Sequence, residues 1–188
     1  QDITLCVMPL FHVHGIVASL LTTLGTGGTV IIPDRFDALK FWEISTKYKV
    51  SWFTAVPSMH NALVNRSKRR SGDVEKNPAL RFIRSCSSSL APTLMNDLEN
   101  LFQVPVLEAY GMTEAAHQMA SNPLPPGIRK SGTVGKSTGV EIAIMNDQGV
   151  MLDVGEIGEI VIKGSNVVSG YESNPQANLD SYTIGWFR

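Results

Sequence analysis

A disulfide framework, a membrane-spanning run and a one-sided charge are all missing from this sequence. Its 188 residues hold only two cysteines, Cys6 and Cys86, which excludes a disulfide scaffold and favours a reducing compartment. The longest apolar run, Gly15 to Leu24, is about half of the roughly 20 residues that a bilayer span needs. Lys and Arg number 16 against 17 Asp and Glu, a net charge of -1, so no overall positive field draws nucleic acid, and RNA binding is not expected. There is no internal repeat and no low-complexity tract. With 43% hydrophobic residues the chain has ample apolar matter to bury, which excludes disorder. Gln1 and Asp2 lack the basic character of a signal peptide's start. The chain opens without Met and stops at Trp186-Phe187-Arg188, so it reads as a piece cut from something longer.

Short β-rich runs alternate with helical stretches over residues 1 to about 110, the pattern of βαβ units around a parallel sheet. Gly15–Leu24 reads as a buried helix, ended by the glycines of Gly25 to Gly28, and Thr29–Ile32 as a buried strand. Ala38–Tyr48 carries a helix signal, Val50–Val56 is β-prone, and Pro57 opens a helix to about Asn65. Arg66 to Pro78 is polar and reads as a surface loop; its basic residues, Arg66 to Arg70, are followed at once by Asp73 and Glu75, as on a solvated surface. Leu80–Ser85 and Val104–Ala109 read as strands flanking a helix at Pro92–Phe102. Pro and Gly then crowd Asn122 to Gly139, a long loop of the kind that often carries function. Beyond it, Val140–Met145 and Gly158–Lys163 alternate like strands, with a turn at Asn146 to Gly149. The expected fold class is α/β: a parallel-sheet sub-domain over residues 1–130 and a smaller, incomplete β-rich sub-domain over 131–188.

Four segments concentrate unusual residues. Met8-Pro-Leu-Phe-His-Val-His-Gly15 contains an H-x-H pair without a third ligand at informative spacing, so its histidines serve a metal, a pocket or simply the core. Arg84-Ser-Cys-Ser-Ser-Ser89 lies between a strand and a helix, where backbone N–H groups and hydroxyls can meet an anion; Cys86 there is either a nucleophile or an inert packed thiol. Glu108-Ala-Tyr-Gly-Met-Thr-Glu-Ala-Ala-His-Gln118 follows a strand, and in open parallel sheets that edge is where ligands bind. It offers a ring for stacking, a hydroxyl, a carboxylate able to hold Mg²⁺ and an imidazole. Taken alone, Gly155-Glu-Ile-Gly-Glu-Ile-Val-Ile-Lys-Gly164, leading to Ser169-Gly-Tyr171, says only turn, strand, turn.

Together these segments resemble the adenylate-forming acyl-activating superfamily of acyl-CoA synthetases, luciferases and peptide-synthetase adenylation domains. Tyr110-Gly-Met-Thr-Glu114 matches its central motif, and PLFHVHG, YGMTE, GTVGK and GEIGEIVIKG…SGY recur in order across essentially the whole chain. RFIRSCSSSLAP followed by VLEAYGMTEAAHQMASNPLPPG is similar to the oxalate–CoA ligase branch of plants and fungi. The resemblance implies that Tyr110 stacks on adenine, Glu108 and Ala109 border the adenine pocket, and Gly111 lets backbone approach the ligand. It further implies that Thr113 hydrogen-bonds the α-phosphate and Glu114 binds Mg²⁺. Where many relatives carry Gly or Ala, Ser87-Ser88-Ser89 supplies hydroxyls suited to a small polar acid. The free carboxylate of adenylated oxalate needs pairing once desolvated, and His117, Ser87 and His12 are the candidate donors.

The implied reaction consumes a carboxylic acid, Mg·ATP and CoA, through an acyl-adenylate. The family's phosphate loop would precede this chain; its ribose-binding Thr-Gly-Asp, hinge and C-terminal domain with catalytic Lys would follow. The chain therefore reads as an internal fragment of a larger enzyme's N-terminal domain, expected not to turn over alone. Other readings are a 4-coumarate-like or fatty acid–CoA ligase, or a non-catalytic fragment that binds nucleotide or a partner. Cytosol and peroxisome both fit; oligomeric state is not legible.

Overall fold

The structure, a computed structural model, describes residues 1–69 and 77–188. Apolar runs in the first part of the chain form five parallel strands: β1 (Ile3–Leu5), β2 (Thr29–Ile31), β3 (Trp52–Ala55), β4 (Phe82–Ser85) and β5 (Val106–Met112). They lie in the order β2-β1-β3-β4-β5, so the chain steps one way from β1 to β2 and the other way afterwards. Crossovers between parallel strands are right-handed, and opposite steps therefore put their helices on opposite faces.

On one face pack α3 (Phe41–Lys47), α4 (Pro57–Lys68) and α5 (Pro92–Phe102). Pro at the first turn of α4 and of α5 fixes φ where the N–H needs no partner. Their buried residues, among them Phe41, Trp42, Leu63, Met95 and Leu98, close over Leu5, Phe53, Ile83 and Val106 of the sheet. Trp42 stacks on Phe102 at 5.7 Å, and Phe41 meets Phe53 edge-on at 4.8 Å.

The other face carries the alternate residues, Thr4, Trp52, Thr54, Phe82 and Arg84. Among the described residues its helical cover is the β1–β2 connection, as α1 (Val13–Gly15), a π-helical stretch (Ile16–Leu21) and α2 (Thr22–Gly25) in unbroken succession. The helix is not buried in the sense expected of Gly15–Leu24: it buries His14, Ser19 and Thr23 and exposes Ile16, Leu21 and Leu24. The cause is the strand surface beneath it. Thr23 Oγ1 lies 2.7 Å from Thr4 Oγ1 and His14 Nε2 lies 2.6 Å from Thr54 Oγ1, so hydrogen-bonding side chains turn inward. β2, read as a buried strand, is a partly exposed edge.

α4 runs to Lys68, so Arg66, Ser67 and Lys68 belong to its last turns and not to a loop; Lys68 reaches Asp97 of α5 at 2.8 Å. The remainder of the expected loop from Arg70 to Lys76 lies outside the described residues. β5 continues three residues past the expected end at Ala109 and turns through a 3-10 turn (Thr113–Ala115) into antiparallel β6 (His117–Ser121), which pairs with β7 (Lys136–Ser137). The first sheet thus reaches Ser137.

A second, antiparallel sheet follows: β8 (Glu141–Met145), β9 (Glu159–Lys163), β10 (Tyr182–Thr183) and β11 (Trp186–Phe187), in the order β10-β11-β9-β8, with α6 (Pro175–Ser181) before β10. Its core of Val140, Ile162 and Phe187 includes Ala115 and Met119 of the first sheet's last hairpin, so the two sheets share apolar contacts. Among the described residues no helix is long and apolar enough to cross a membrane.

The location of the core makes a quantitative expectation. Leu98→Ala, at a fully buried position beneath the sheet, should lower unfolding free energy by about 2–5 kcal/mol in urea denaturation. Val154→Ala, at a fully exposed position, should change it by less than about 0.5 kcal/mol. Equal effects would move the core elsewhere.

Candidate active site

In an open parallel sheet, the crevice for a ligand lies beyond the carboxyl ends of the strands where their order reverses, here beside β1 and β3. The segments that leave β1 and β4 meet there. His14 Nδ1 lies 3.0 Å from Ser87 Oγ, while Nε2 lies 2.6 Å from Thr54 Oγ1 on β3. The His117 ring sits 5.1 Å from that of His14, centroid to centroid. Ser85 pairs with Glu108 across β4 and β5, which brings Ser87 and Tyr110, each two residues further on, to the same sheet edge.

Ser87 (φ 73°) and His117 (φ 87°) both have left-handed backbones, uncommon for residues with a Cβ and characteristic of functional sites. His117 is 2% exposed and its Nδ1 has no hydrogen-bond partner. His12, by contrast, is exposed; its Nδ1 accepts the His14 N–H at the start of α1. Of the H-x-H pair, His14 is the residue brought to Ser87 and His117. Both of its ring nitrogens face hydroxyls, and among the described residues no group of three or more His, Cys, Asp or Glu could hold a metal ion. Cys86 is a buried free thiol.

Three residues to which the sequence reading gave no role complete the cluster. Arg84, buried in β4, donates from Nη1 to Thr54 Oγ1 (3.3 Å) and from Nη2 to Gln118 Oε1 (3.0 Å). An arginine inside a β-run, in phase with Trp52 and Thr54 on the neighbouring strand, was the available signal. Beside it opens a cavity of about 510 Å³, lined by Trp52, Phe82, Arg84, His117 and Gln118 from the sheet and by Ala18 from the helix.

Burial fixes the protonation states. It pushes His14 down to about 3, helped by the nearby Arg84 charge, and His117 down to about 4 for the same reasons. His60, in the core behind β4, is pushed to about 4 by burial, although hydrogen bonds to Arg84 and Ala55 carbonyls oppose this. All three are neutral at pH 7.

The YGMTE motif forms the end of β5 and the turn into β6. The register slips between Tyr110 and Gly111, and a Cβ at 111 would collide with the His117 carbonyl. Tyr110 is half-buried against the second core, and Ala109 is buried opposite Ser121. Thr113 is exposed at the turn. Glu114 is gripped from the later segment: its carbonyl accepts the Val168 N–H (2.8 Å) and its Oε1 accepts the Tyr171 hydroxyl (2.9 Å). Asn166 donates to the Ala115 carbonyl at 2.8 Å. The GEIGEIVIKG…SGY stretch, mute as sequence, is therefore the clamp on this turn. Glu108 is buried and its Oε2 accepts the Gly132 N–H at 2.8 Å, which ties the long loop to β5.

Residues 1–172 match the model of the AMP-binding enzyme family. The chain is 49% identical over its full length to 37% of an oxalate–CoA ligase of Arabidopsis thaliana. It is 48% identical, over 97% of its length, to 33% of an oxalate–CoA ligase of Saccharomyces cerevisiae. It thus spans about a third of the length of these curated relatives. Among solved structures, o-succinylbenzoate–CoA synthetase from Bacillus subtilis in complex with ATP and magnesium is 29% identical and superposes with a TM-score of 0.84, over 100% of this chain and 38% of that one.

The neutral histidines dictate a pH dependence. An unfolded histidine titrates near 6.5, whereas His14, His60 and His117 in the fold stay neutral down to about 3, 4 and 4. Between these limits the unfolded chain binds more protons. Stability is therefore full above about pH 6.5 and falls on acidification, by on the order of 1.4 kcal/mol per pH unit for each histidine. Urea midpoints at pH 7.5, 6 and 5 should decline steeply; a flat profile would mean that the rings are protonated in the fold.

Proposed function

The chain belongs to the AMP-binding enzyme family, and we propose that it is the central part of an ATP-dependent, AMP-forming acid–CoA ligase whose acid is oxalate. The observation that carries the acid assignment is the convergence of Ser87, His14 and His117, with the unpartnered Nδ1 of His117, beside the YGMTE turn. Fatty and aryl acids ask for apolar walls; this end of the crevice is lined by hydroxyl and imidazole groups instead. The likeness to two oxalate–CoA ligases supports the same acid.

In the proposed reaction a carboxylate oxygen attacks the α-phosphorus of ATP, and the bond from that phosphorus to the α,β-bridging oxygen breaks, releasing pyrophosphate. The CoA thiolate then attacks the acyl carbon of the mixed anhydride and AMP leaves. Tyr110 stacks on adenine, with Glu108 and Ala109 at the rim of its pocket and Gly111 allowing close approach of the backbone. Thr113, exposed at the turn, donates to the α-phosphate. Glu114 would hold Mg²⁺, since Tyr171 occupies only Oε1 and Oε2 is left for a hard cation, whose chemistry there would be to offset phosphate charge.

Ser87 and His117 hold the acid. In this role we substitute His14 for the His12 read from sequence, because the His12 imidazole caps α1 while His14 touches Ser87. A fixed donor set of this kind stabilises developing charge without reorganisation. The 4-coumarate-like or fatty-acid reading has the cavity of about 510 Å³ and its Trp52 and Phe82 walls in its favour.

Acid-dependent pyrophosphate release by the full-length parent separates these readings. Oxalate should exceed malonate, 4-coumarate and octanoate. His117→Ala should reduce kcat/KM for oxalate by about 10- to 150-fold, the value of a hydrogen bond to a charged group. A preference for 4-coumarate or octanoate untouched by His117→Ala would discard the acid assignment and keep the ligase; no release with any acid would leave a nucleotide- or partner-binding module.

A further inference from the structure

Arg84 has neither an apolar surrounding that needs it nor a carboxylate that pairs it. The residue is 6% exposed, and its hydrogen bonds go to the neutral oxygens of Thr54 and Gln118; no carboxylate among the described residues forms an ion pair with it. A guanidinium stays protonated even where burial lowers its pKa, so this is a buried positive charge with no carboxylate partner among the described residues, the Cys86 thiol being its other polar neighbour. As a scaffold element such a charge is a liability, since an apolar side chain of similar volume is neutral or better for stability.

The hydrogen-bond chemistry that starts at Arg84 has one consistent direction. A guanidinium can only donate, so Thr54 Oγ1 accepts at 3.3 Å and has its own proton left to give. The remaining neighbour of that hydroxyl is His14 Nε2 at 2.6 Å, and the buried Thr54 proton is satisfied in the tautomer in which Nε2 accepts it. A neutral imidazole with Nε2 accepting carries its proton on Nδ1, and Nδ1–H donates to Ser87 Oγ at 3.0 Å. Ser87 then has its O–H free, at an exposed, left-handed residue at the sheet edge. Across the cavity, Arg84 also holds Gln118, the residue that follows His117.

We propose that Arg84 is a positioning residue for the acid: through Thr54 and His14 it leaves the Ser87 hydroxyl proton free to donate, and its charge, unpaired by any carboxylate, selects acids that keep a second negative group after adenylation. This rests on the acid–CoA ligase reading and names the group that would select a small dianionic acid such as oxalate. A monoanionic acid loses its charge to the phosphate on adenylation and leaves Arg84 uncompensated; a dianionic acid does not.

The test compares oxalate with propionate in pyrophosphate release by the full-length parent and its Arg84→Met, Arg84→Lys and Thr54→Val variants. Arg84→Met should raise KM for oxalate 10- to 100-fold, leave KM for ATP within about twofold, lower the oxalate-to-propionate selectivity in proportion, and not lower the melting temperature. Arg84→Lys should recover part of the selectivity. Thr54→Val, which keeps the charge and cuts the relay, should raise KM for oxalate about tenfold. An unchanged oxalate KM in Thr54→Val overturns the relay. Equal loss for both acids with a lowered melting temperature in Arg84→Met makes Arg84 structural and overturns the proposal. A parent that releases pyrophosphate with neither acid fails the ligase reading itself, separately from these outcomes.

Discussion

Polar groups removed from water must find partners, and the sheet face turned away from the aromatic core carries Thr4, Thr54 and Arg84. Satisfying them decides how the β1–β2 helix lies. Its Thr23 and His14 turn inward and its Leu21 and Leu24 outward, the reverse of an ordinary amphipathic helix. Because right-handed crossovers send α3, α4 and α5 to the opposite face, this helix is the helical cover of its face among the described residues, and beside it opens the cavity at Arg84. A buried cation, neutral imidazoles and a crevice all follow from that one half-covered polar surface.

The same surface fixes the electrostatics. His14 and His117 lie close to a guanidinium that opposes their protonation, and their burial opposes it further. Imidazoles that cannot charge at neutral pH act as directional donors and acceptors rather than as cations. The positive charge of the site is therefore concentrated on Arg84, inside a region of low dielectric where a fixed charge acts strongly. Glu114 lies on the other side of the turn, held by Tyr171 and Val168, so the acidic and basic parts of the site belong to different supports.

Much of the architecture was legible in advance. Period-2 and apolar runs gave β3, β4, β5, β8 and β9 with small errors at their ends, and the prolines at 57 and 92 marked helix starts. The errors share a cause. β5 outran its expected end because the Gly111 bulge lets the strand continue into a hairpin, and α4 outran Asn65 because a polar turn can end a helix as well as a loop can begin one. The β1–β2 helix was found but its polarity was not, since an apolar run carries no information on which face the sheet will ask to be polar.

The sequence by itself determined the α/β class, the family motifs and the chemical types at the site, because these reside in residue identity and local spacing. Tertiary structure decided which of two histidines two residues apart reaches Ser87, because a helix start turns neighbours to different sides. It alone brought Arg84, Thr54 and Gln118 together from three strands, and joined Tyr171 to Glu114 across 57 positions, since contacts at such separations depend on strand order and crossover handedness rather than on any local pattern.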